Sequence, residues 1–265
     1  MHYVWKEWKE NVKGKGLWIS FGIIVLVSLF LLFKSSSLSF EQGIYILQIN
    51  LFDMMIYLIP IFCLFLGAFS LFQEKEQKTL IMLLTRRDTF TGFLLKKTIA
   101  VQTLLIIPIV AWFLIYLLPI KFLFEIDFIS YGALIVSFIC LTLVFTQLGM
   151  MIGSVSRSIM QIVGFAVAIW FYFFFLHDFI LLSFLSDVSY DNVKFFSIVY
   201  FLNPISAARI FLESALGTYN FDHMSKLLQT FMWLKPGIFL LINVCFYMIV
   251  SFAIGVVFHR KEGKE

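Results

Sequence analysis

Three ionisable residues of this sequence, Asp53, His177 and Asp178, lie inside or beside long apolar stretches and are the first candidates for chemistry. Ionisable side chains are expensive inside a lipid bilayer, and those kept there usually serve catalysis or proton relay. Asp53, however, lies near the start of its apolar stretch, and the His177-Asp178 pair follows the end of another. Water can reach both places, so an ordinary polar role at a membrane surface is the simpler interpretation.

Other residue patterns that support catalysis or cofactor binding are missing from the sequence. It has no G-x-x-x-x-G-K-[ST] phosphate-binding motif, so ATP is not bound and split through the usual loop. Cys63, Cys140 and Cys245 stand in apolar runs without a second Cys or His at ligand spacing, which is typical of small core residues. No basic patch with interleaved aromatic residues suggests a nucleic-acid partner. We therefore predict a non-enzymatic chain that binds no cofactor of its own.

The composition indicates the class of protein that must position these residues. Of 265 residues 61% are hydrophobic and 14% are charged, and the mean hydropathy is +0.96, which is too apolar for a soluble globule. The sequence predicts an all-α integral membrane protein with a six-span domain over residues 17–258. The predicted spans are 17–33, 50–72, 98–120, 128–153, 159–176 and 236–258.

The distribution of basic residues predicts how these spans are oriented. Lys and Arg concentrate on the cytoplasmic side of membrane proteins. If both termini are cytoplasmic, that side contains the charged segment 73–97, the turn 154–158 and the tail 259–265, while residues 177–235 form an external segment. The basic residues left on the external side are then Lys34, Lys121, Lys194, Arg209, Lys226 and Lys235, a minority of the 20.

The segment 73–97 is the only long, densely charged stretch between two apolar runs. In it, Leu80, Leu83 and Leu84 share one helical face, while Glu76 and Arg86 can point elsewhere. This pattern predicts a short amphipathic helix beneath the membrane. The alternative is a solvated loop whose apolar residues rest on lipid.

Residues 1–16 have a similar amphipathic pattern. Trp5, Trp8 and Val12 recur at helical spacing, with lysines and glutamates on the other side. We predict an interfacial helix whose Trp rings lie at the level of the lipid headgroups. A cleaved signal peptide is the alternative, but no A-x-A-like site follows the first apolar run.

Small residues predict close helix packing in two places. Gly149 and Gly153 form a GxxxG motif at the end of the fourth predicted span, and Gly164 and Ala168 repeat the spacing on the fifth. Such pairs let helix backbones approach closely. The packing could be within one chain or between two subunits.

The external segment contains one helix with clear start and stop signals. Asn203 is a suitable N-cap, Pro204 suits the first turn, and Gly217 can end the helix. Arg209 and Glu213 are one turn apart and can pair. The helix is too short to cross a bilayer and is expected to be amphipathic or re-entrant.

Together these features resemble the ABC-2 type permeases, the membrane subunits of ATP-binding-cassette exporters. The resemblance rests on the amphipathic N-terminal helix, on EKEQKTLIMLLTRRDTFTGFLLKK after the second span, on LGMMIGSVSRSI between the fourth and fifth spans, and on the Asn-Pro helix before the sixth. It covers essentially the whole chain. The EKE and LNPISAARIFLESALG stretches are also similar to the nitrous-oxide-reductase maturation permeases, although Lys78 departs from the Gly that is frequent there.

The resemblance implies a permease of the bacterial plasma membrane, paired with a second copy or a sister permease. Two cytoplasmic ATPase subunits would bind ATP and Mg²⁺ beneath it, with residues 76–88 as the coupling helix and residues 1–16 as a second contact. The residues implied in coupling are Glu74, Glu76, Thr79, Leu80, Leu83, Leu84, Arg86 and Arg87. Two other functions are alternatives: a non-transporting membrane scaffold that recruits a cytoplasmic partner, and an intramembrane enzyme, which the missing buried ionisable groups disfavour.

Overall fold

A computed structural model describes residues 8–9, 14–35, 40–76, 90–217 and 225–262. Across these ranges the chain is helical and contains no strand. The helices are α1 (Lys15–Ser35), α2 (Phe40–Glu76), α3 (Phe90–Leu123), α4 (Phe128–Val155), α5 (Ile159–Phe171), α6 (His177–Ser183), α7 (Val193–Leu202), α8 (Pro204–Ala215), α9 (Lys226–Phe231) and α10 (Pro236–Glu262).

Six helical stretches in the described part of the chain are long and apolar enough to cross a membrane, which confirms the predicted fold class. They are α1 to α4, the stretch Ile159–Ser183, and the stretch Lys226–Phe258. The bundle has a terminal end, where α1 begins and α10 ends, and an opposite end. At 37 residues α2 is about 55 Å long, so it must extend beyond a hydrocarbon core of about 30 Å.

Two helices extend beyond the predicted spans. α2 begins at Phe40, ahead of the span predicted over residues 50–72. After the span predicted over residues 159–176, which includes the π-helical turn Tyr172–Leu176, α6 continues the helix to Ser183. Hydropathy marks only the apolar portion of a helix, and a helix can continue into water once its backbone hydrogen bonds are formed.

The centre of the bundle is the parallel pair α2 and α4, with α10 packed on α4 and α1 packed on α2. Large aromatic side chains are buried beside it, among them Phe113, Tyr116 and Tyr131. The Tyr116 hydroxyl donates to the Ser28 carbonyl at 2.6 Å, and the Tyr131 hydroxyl donates to the Phe113 carbonyl at 2.7 Å. These bonds join α1, α3 and α4 and leave neither phenol unsatisfied in an apolar interior.

The turn between α4 and α5 is as short as the sequence predicts. α4 ends at Val155, and the Ser158 side chain caps α5 by accepting from the Gln161 amide. At the other end of α4, the Asp127 carboxylate accepts from the amides of Ile129 and Ser130. These caps satisfy amides that the first turn of a helix leaves without backbone partners.

Candidate functional site

The two helices that flank the predicted coupling segment are joined by an ion pair. Lys97 on α3 donates from Nζ to Glu74 Oε1 on α2 at 2.8 Å, and the two side chains are 3% and 14% exposed. Glu74 lies in the last turn of α2 and Lys97 in the second turn or so of α3, with residues 77–89 between the helices. Two charges this buried are stable only as a pair, so α2 and α3 are held together at the terminal end.

A second lysine joins α2 to α4. Lys75 donates from Nζ to the Ser154 carbonyl at 2.6 Å. Ser154 lies in the last turn of α4, where carbonyls lack intrahelical partners and the helix dipole favours a cation. A Cβ added to Gly255 of α10 would lie 3.3 Å from Ser154 Oγ, so α10 also passes close to this point. The ends of α2, α4 and α10 therefore meet at one place.

Glycines bring the backbones of α2 and α4 into contact in the turns that precede these helix ends. A Cβ added to Gly149 would lie 2.5 Å from the Leu64 carbonyl oxygen, and one added to Gly67 would lie 2.7 Å from the Thr146 carbonyl oxygen. A Cβ at Gly153 would collide with the Ala68 carbonyl oxygen. Of the two alternatives for the Gly149-Gly153 motif, the structure assigns packing within the chain, and Gly67 is its unforeseen partner on α2.

The second pair of small residues lies on an outward surface. Gly164 and Ala168 are exposed, and nothing lies within 4 Å of a Cβ added to Gly164. In the most apolar part of the fifth span 17% of the residues are buried, compared with 56% in the second span. Within one chain, this helix has most of its surface available to lipid or to another subunit.

Several predicted coupling and interfacial residues lie outside the described part of the chain: Thr79, Leu80, Leu83, Leu84, Arg86, Arg87, Trp5 and Val12. Of the remainder, Glu76 ends α2 and is exposed. Trp8 is partly buried and packs against the hydrophobic core of the bundle.

At the opposite end of the bundle, Arg209 of α8 pairs with Asp53 of α2. Arg209 Nη2 donates to Asp53 Oδ1 at 3.1 Å, and the side chains are 41% and 48% exposed. Spacing within α8 points to Glu213, one turn away, as a residue that can also pair with Arg209. α7 and α8 meet at a bend of 102°, and α8 places Arg209 beside α2, a contact that local spacing cannot predict.

The bend itself is centred on Asn203. As predicted, Asn203 caps α8: its Oδ1 accepts from the Ile205 amide at 3.0 Å, with Pro204 in the first turn and Gly217 beyond the end at φ 74°. Its Nδ2 also donates to the Phe173 carbonyl at 2.8 Å, inside the π-helical turn of the fifth span. A π-turn disturbs the regular carbonyl ladder, and Asn203 supplies a donor there.

His177 belongs to the same buried cluster. Its Nε2 donates to the Val199 carbonyl at 3.0 Å, and its Nδ1 lies 3.3 Å from both Asn203 Nδ2 and Asp178 Oδ1. A neutral ring accepts from Asn203 at Nδ1, whereas a protonated ring donates to Asp178. His177 is 3% exposed, so it is a buried structural link between the fifth span and α7 rather than a surface residue.

Two residues of the sixth span, which no sequence motif marks, hold the other side of the bend. Asn243 Nδ2 donates to the carbonyls of Phe201 and Leu202 at 2.8 and 2.9 Å, and the Tyr247 hydroxyl donates to Leu202 at 3.0 Å. These carbonyls end α7 and have no partners in the next turn of that helix. The only signal in the sequence is Asn243 itself, a single Asn in an otherwise apolar span. A buried amide side chain is costly unless it is hydrogen-bonded.

Comparison with known families identifies the class of protein. The family model described as ABC-2 family transporter protein matches residues 1–263. The chain therefore belongs to this family, and it is a multi-pass protein of the bacterial plasma membrane. No curated protein matches the sequence.

Membership defines the chain as the membrane subunit of a transporter, a kind of protein that works with an ATP-binding subunit. The finer resemblance to the nitrous-oxide-reductase maturation permeases stays a prediction.

Proposed function

We propose that this chain is the permease subunit of an ABC exporter and that its terminal end is cytoplasmic. Two permeases would form the translocation path, and two separate ATPase subunits would bind ATP and Mg²⁺ beneath them. The helix predicted within residues 76–88 would insert into a cleft of the ATPase, with residues 1–16 as a second contact.

The single observation that carries this proposal is the buried pair of Glu74 and Lys97. It joins the helices on either side of the coupling segment, so a push on that segment reaches α2 and α3 together. The Lys75 bond to Ser154 and the glycine contacts carry the same displacement to α4. Because packed helices shift as rigid units, a small movement at this end would tilt much of the bundle.

The exposed surface of the fifth span supports a paired permease. A helix in a six-span bundle that has so little surface covered by its own chain is the best placed to meet a second subunit. Gly164 and Ala168 would allow close approach there.

The decisive experiment replaces Leu80 and Leu84 by Asp and measures co-purification of the ATPase with the permease in detergent, together with the ATPase rate of the complex. We expect loss of the ATPase while the six spans remain inserted, because charged residues cannot enter an apolar cleft. Replacement of the same two residues by Met is the matched control and should retain the complex.

If the double Asp variant retains the ATPase at the wild-type level, the coupling-helix assignment is wrong, and the helix lies on lipid instead. Removal of residues 1–12 is a companion test. A smaller loss is expected there, since that segment can also act as a membrane anchor.

A further inference from the structure

A cavity of about 340 Å³ lies at the opposite end of the bundle, away from the predicted coupling segment. Its walls are the stretch that follows the fifth span, together with α7, α9 and one residue of α8. None of the residues that line it carries a charge or an amide side chain. The only polar side-chain group in the lining is the hydroxyl of Tyr200.

The lining follows from the periodicity of two short helices. On α7, Val193, Phe196 and Tyr200 recur at i, i+3 and i+7, so they share one face. On α9, Leu228 and Phe231 face them from the other wall. The cavity is where these two apolar faces oppose each other without filling the space between them.

The walls are fixed by hydrogen bonds and ring contacts. Ser197 Oγ on α7 donates to the Phe231 carbonyl of α9 at 2.6 Å, and the rings of Tyr200 and Phe231 are 5.5 Å apart between centroids. Asn243 holds the end of α7 to the sixth span. Because these bonds fix the distance between α7 and α9, the cavity is part of the folded structure and does not depend on a ligand to form.

The cavity opens toward an apolar surface. Leu185 and Leu228 line it and are themselves 56% and 38% exposed, so they form its mouth. Leu182 and Phe184, next to Leu185 in the chain, are 67% and 58% exposed. Since the fifth and sixth spans both reach this end of the bundle, the mouth lies at the edge of a membrane leaflet.

From these features we propose that the cavity binds one hydrocarbon chain of a membrane lipid from the adjacent leaflet. An apolar cavity of about 150 Å³ already stays dry and binds benzene, and ligand pockets usually span about 300–1,000 Å³. The lining has almost no groups that could recognise a peptide backbone or a sugar. A lipid chain needs none of them and is present at high concentration at the mouth.

The test uses a phosphatidylglycerol that carries a photoreactive diazirine in one acyl chain, reconstituted with the full-length permease at a low mole fraction. After irradiation, mass spectrometry maps the labelled residues. We expect label concentrated on α7 and α9 at the cavity lining. Leu228→Trp, which fills the mouth, should lower that label several-fold, whereas Leu241→Trp, on the exposed face of the sixth span, should not.

Folding and coupling are monitored separately in the same samples. Both variants should elute as the wild type does and should retain the ATPase, because neither residue lies near the coupling segment. The labelling test does not depend on the ATPase, so it remains valid even if the proposed ATPase partner is wrong. If Leu228→Trp does not fold, Met232→Trp fills the cavity from the residue that follows α9. The proposal is overturned if the label on the lining is no higher than the label on lipid-facing α10. It is also overturned if a folded Trp variant leaves the label on the lining unchanged.

Discussion

Asn203 Nδ2 donates to the carbonyl of Phe173 at 2.8 Å, across 30 residues of sequence, while its Oδ1 caps α8 by accepting from the Ile205 amide. One side chain thus does two things: it starts the helix that carries Arg209, and it holds that helix against the π-helical turn of the fifth span. The two roles use different atoms of the amide, so substitutions can separate them.

Replacement of Asn203 tests this division. Asn203→Ser keeps an oxygen that can cap α8 but loses the donor to Phe173, and Asn203→Ala loses both. We expect Asn203→Ala to be less stable than Asn203→Ser by about 1 kcal/mol, the usual value of an N-cap. Thermal unfolding in detergent measures the difference. Equal stability of the two variants would show that the cap contributes nothing.

The glycine contacts predict opposite results for two similar substitutions. Gly153→Leu should prevent α2 and α4 from packing, because its Cβ would collide with the backbone of Ala68. Overpacking typically costs about 1–3 kcal/mol. The cost here should be at least that large, since a backbone carbonyl cannot move aside as a side chain does.

Gly164→Leu is the matched control, since its Cβ meets nothing within 4 Å. It should fold normally, and size-exclusion chromatography then reports whether the exposed face of the fifth span holds a second permease. A folded monomer supports the paired arrangement; an unchanged dimer places the interface elsewhere. Normal folding of Gly153→Leu would contradict the packing of α2 on α4.

The exposed pair of Asp53 and Arg209 should contribute little to stability. Both side chains are more than a third exposed, and ion pairs in such surroundings contribute about 0–1 kcal/mol. Asp53→Asn and Arg209→Gln should therefore shift the unfolding temperature only slightly, singly or together. A loss well above 1 kcal/mol would mean that the pair is buried in the assembled transporter, which measurement in detergent and in liposomes can resolve.

Orientation can be tested with single cysteines in a variant that lacks Cys63, Cys140 and Cys245. Ser189 is exposed at the opposite end of the bundle, and Arg157 is exposed at the terminal end. In intact cells an impermeant maleimide should label Ser189→Cys and not Arg157→Cys, while lysed cells should give label at both. Labelling of Arg157→Cys in intact cells would reverse the orientation and remove the basis for a cytoplasmic coupling segment.

Much of the architecture could be predicted from the sequence because it depends on local signals. Apolar runs mark the six spans, and Asn203 with Pro204 marks the start of α8. The partners of buried polar groups could not be predicted. Nothing local indicates that Lys97 meets Glu74, or that Asn243 meets the end of α7, because those contacts depend on the way helices distant in sequence pack.

The same limit applies to the contact between Arg209 and Asp53. A residue four positions away on the same helix face is a reasonable partner by spacing. The 102° bend at Asn203 sets the direction of α8, and that bend depends on contacts with the fifth and sixth spans.

The ion pair of Glu74 and Lys97 allows stability and coupling to be separated. Lys97→Met removes the ammonium group that faces the buried Glu74 carboxylate. It should lower the free energy of unfolding by about 3–5 kcal/mol, as is usual when one partner of a buried pair is removed. Lys96→Met is the control, since Lys96 is exposed and its substitution should change stability little.

The double variant Glu74→Leu/Lys97→Met replaces the pair with apolar side chains, a change that is often neutral or stabilising. We expect it to regain stability and to bind the ATPase, since the coupling segment itself is intact. If the pair transmits movement between the segment and the spans, transport per ATP hydrolysed should still fall, because α2 and α3 are no longer joined by charge. Normal transport by a stable double variant, measured in liposomes with the ATPase present, would limit the pair to a structural role.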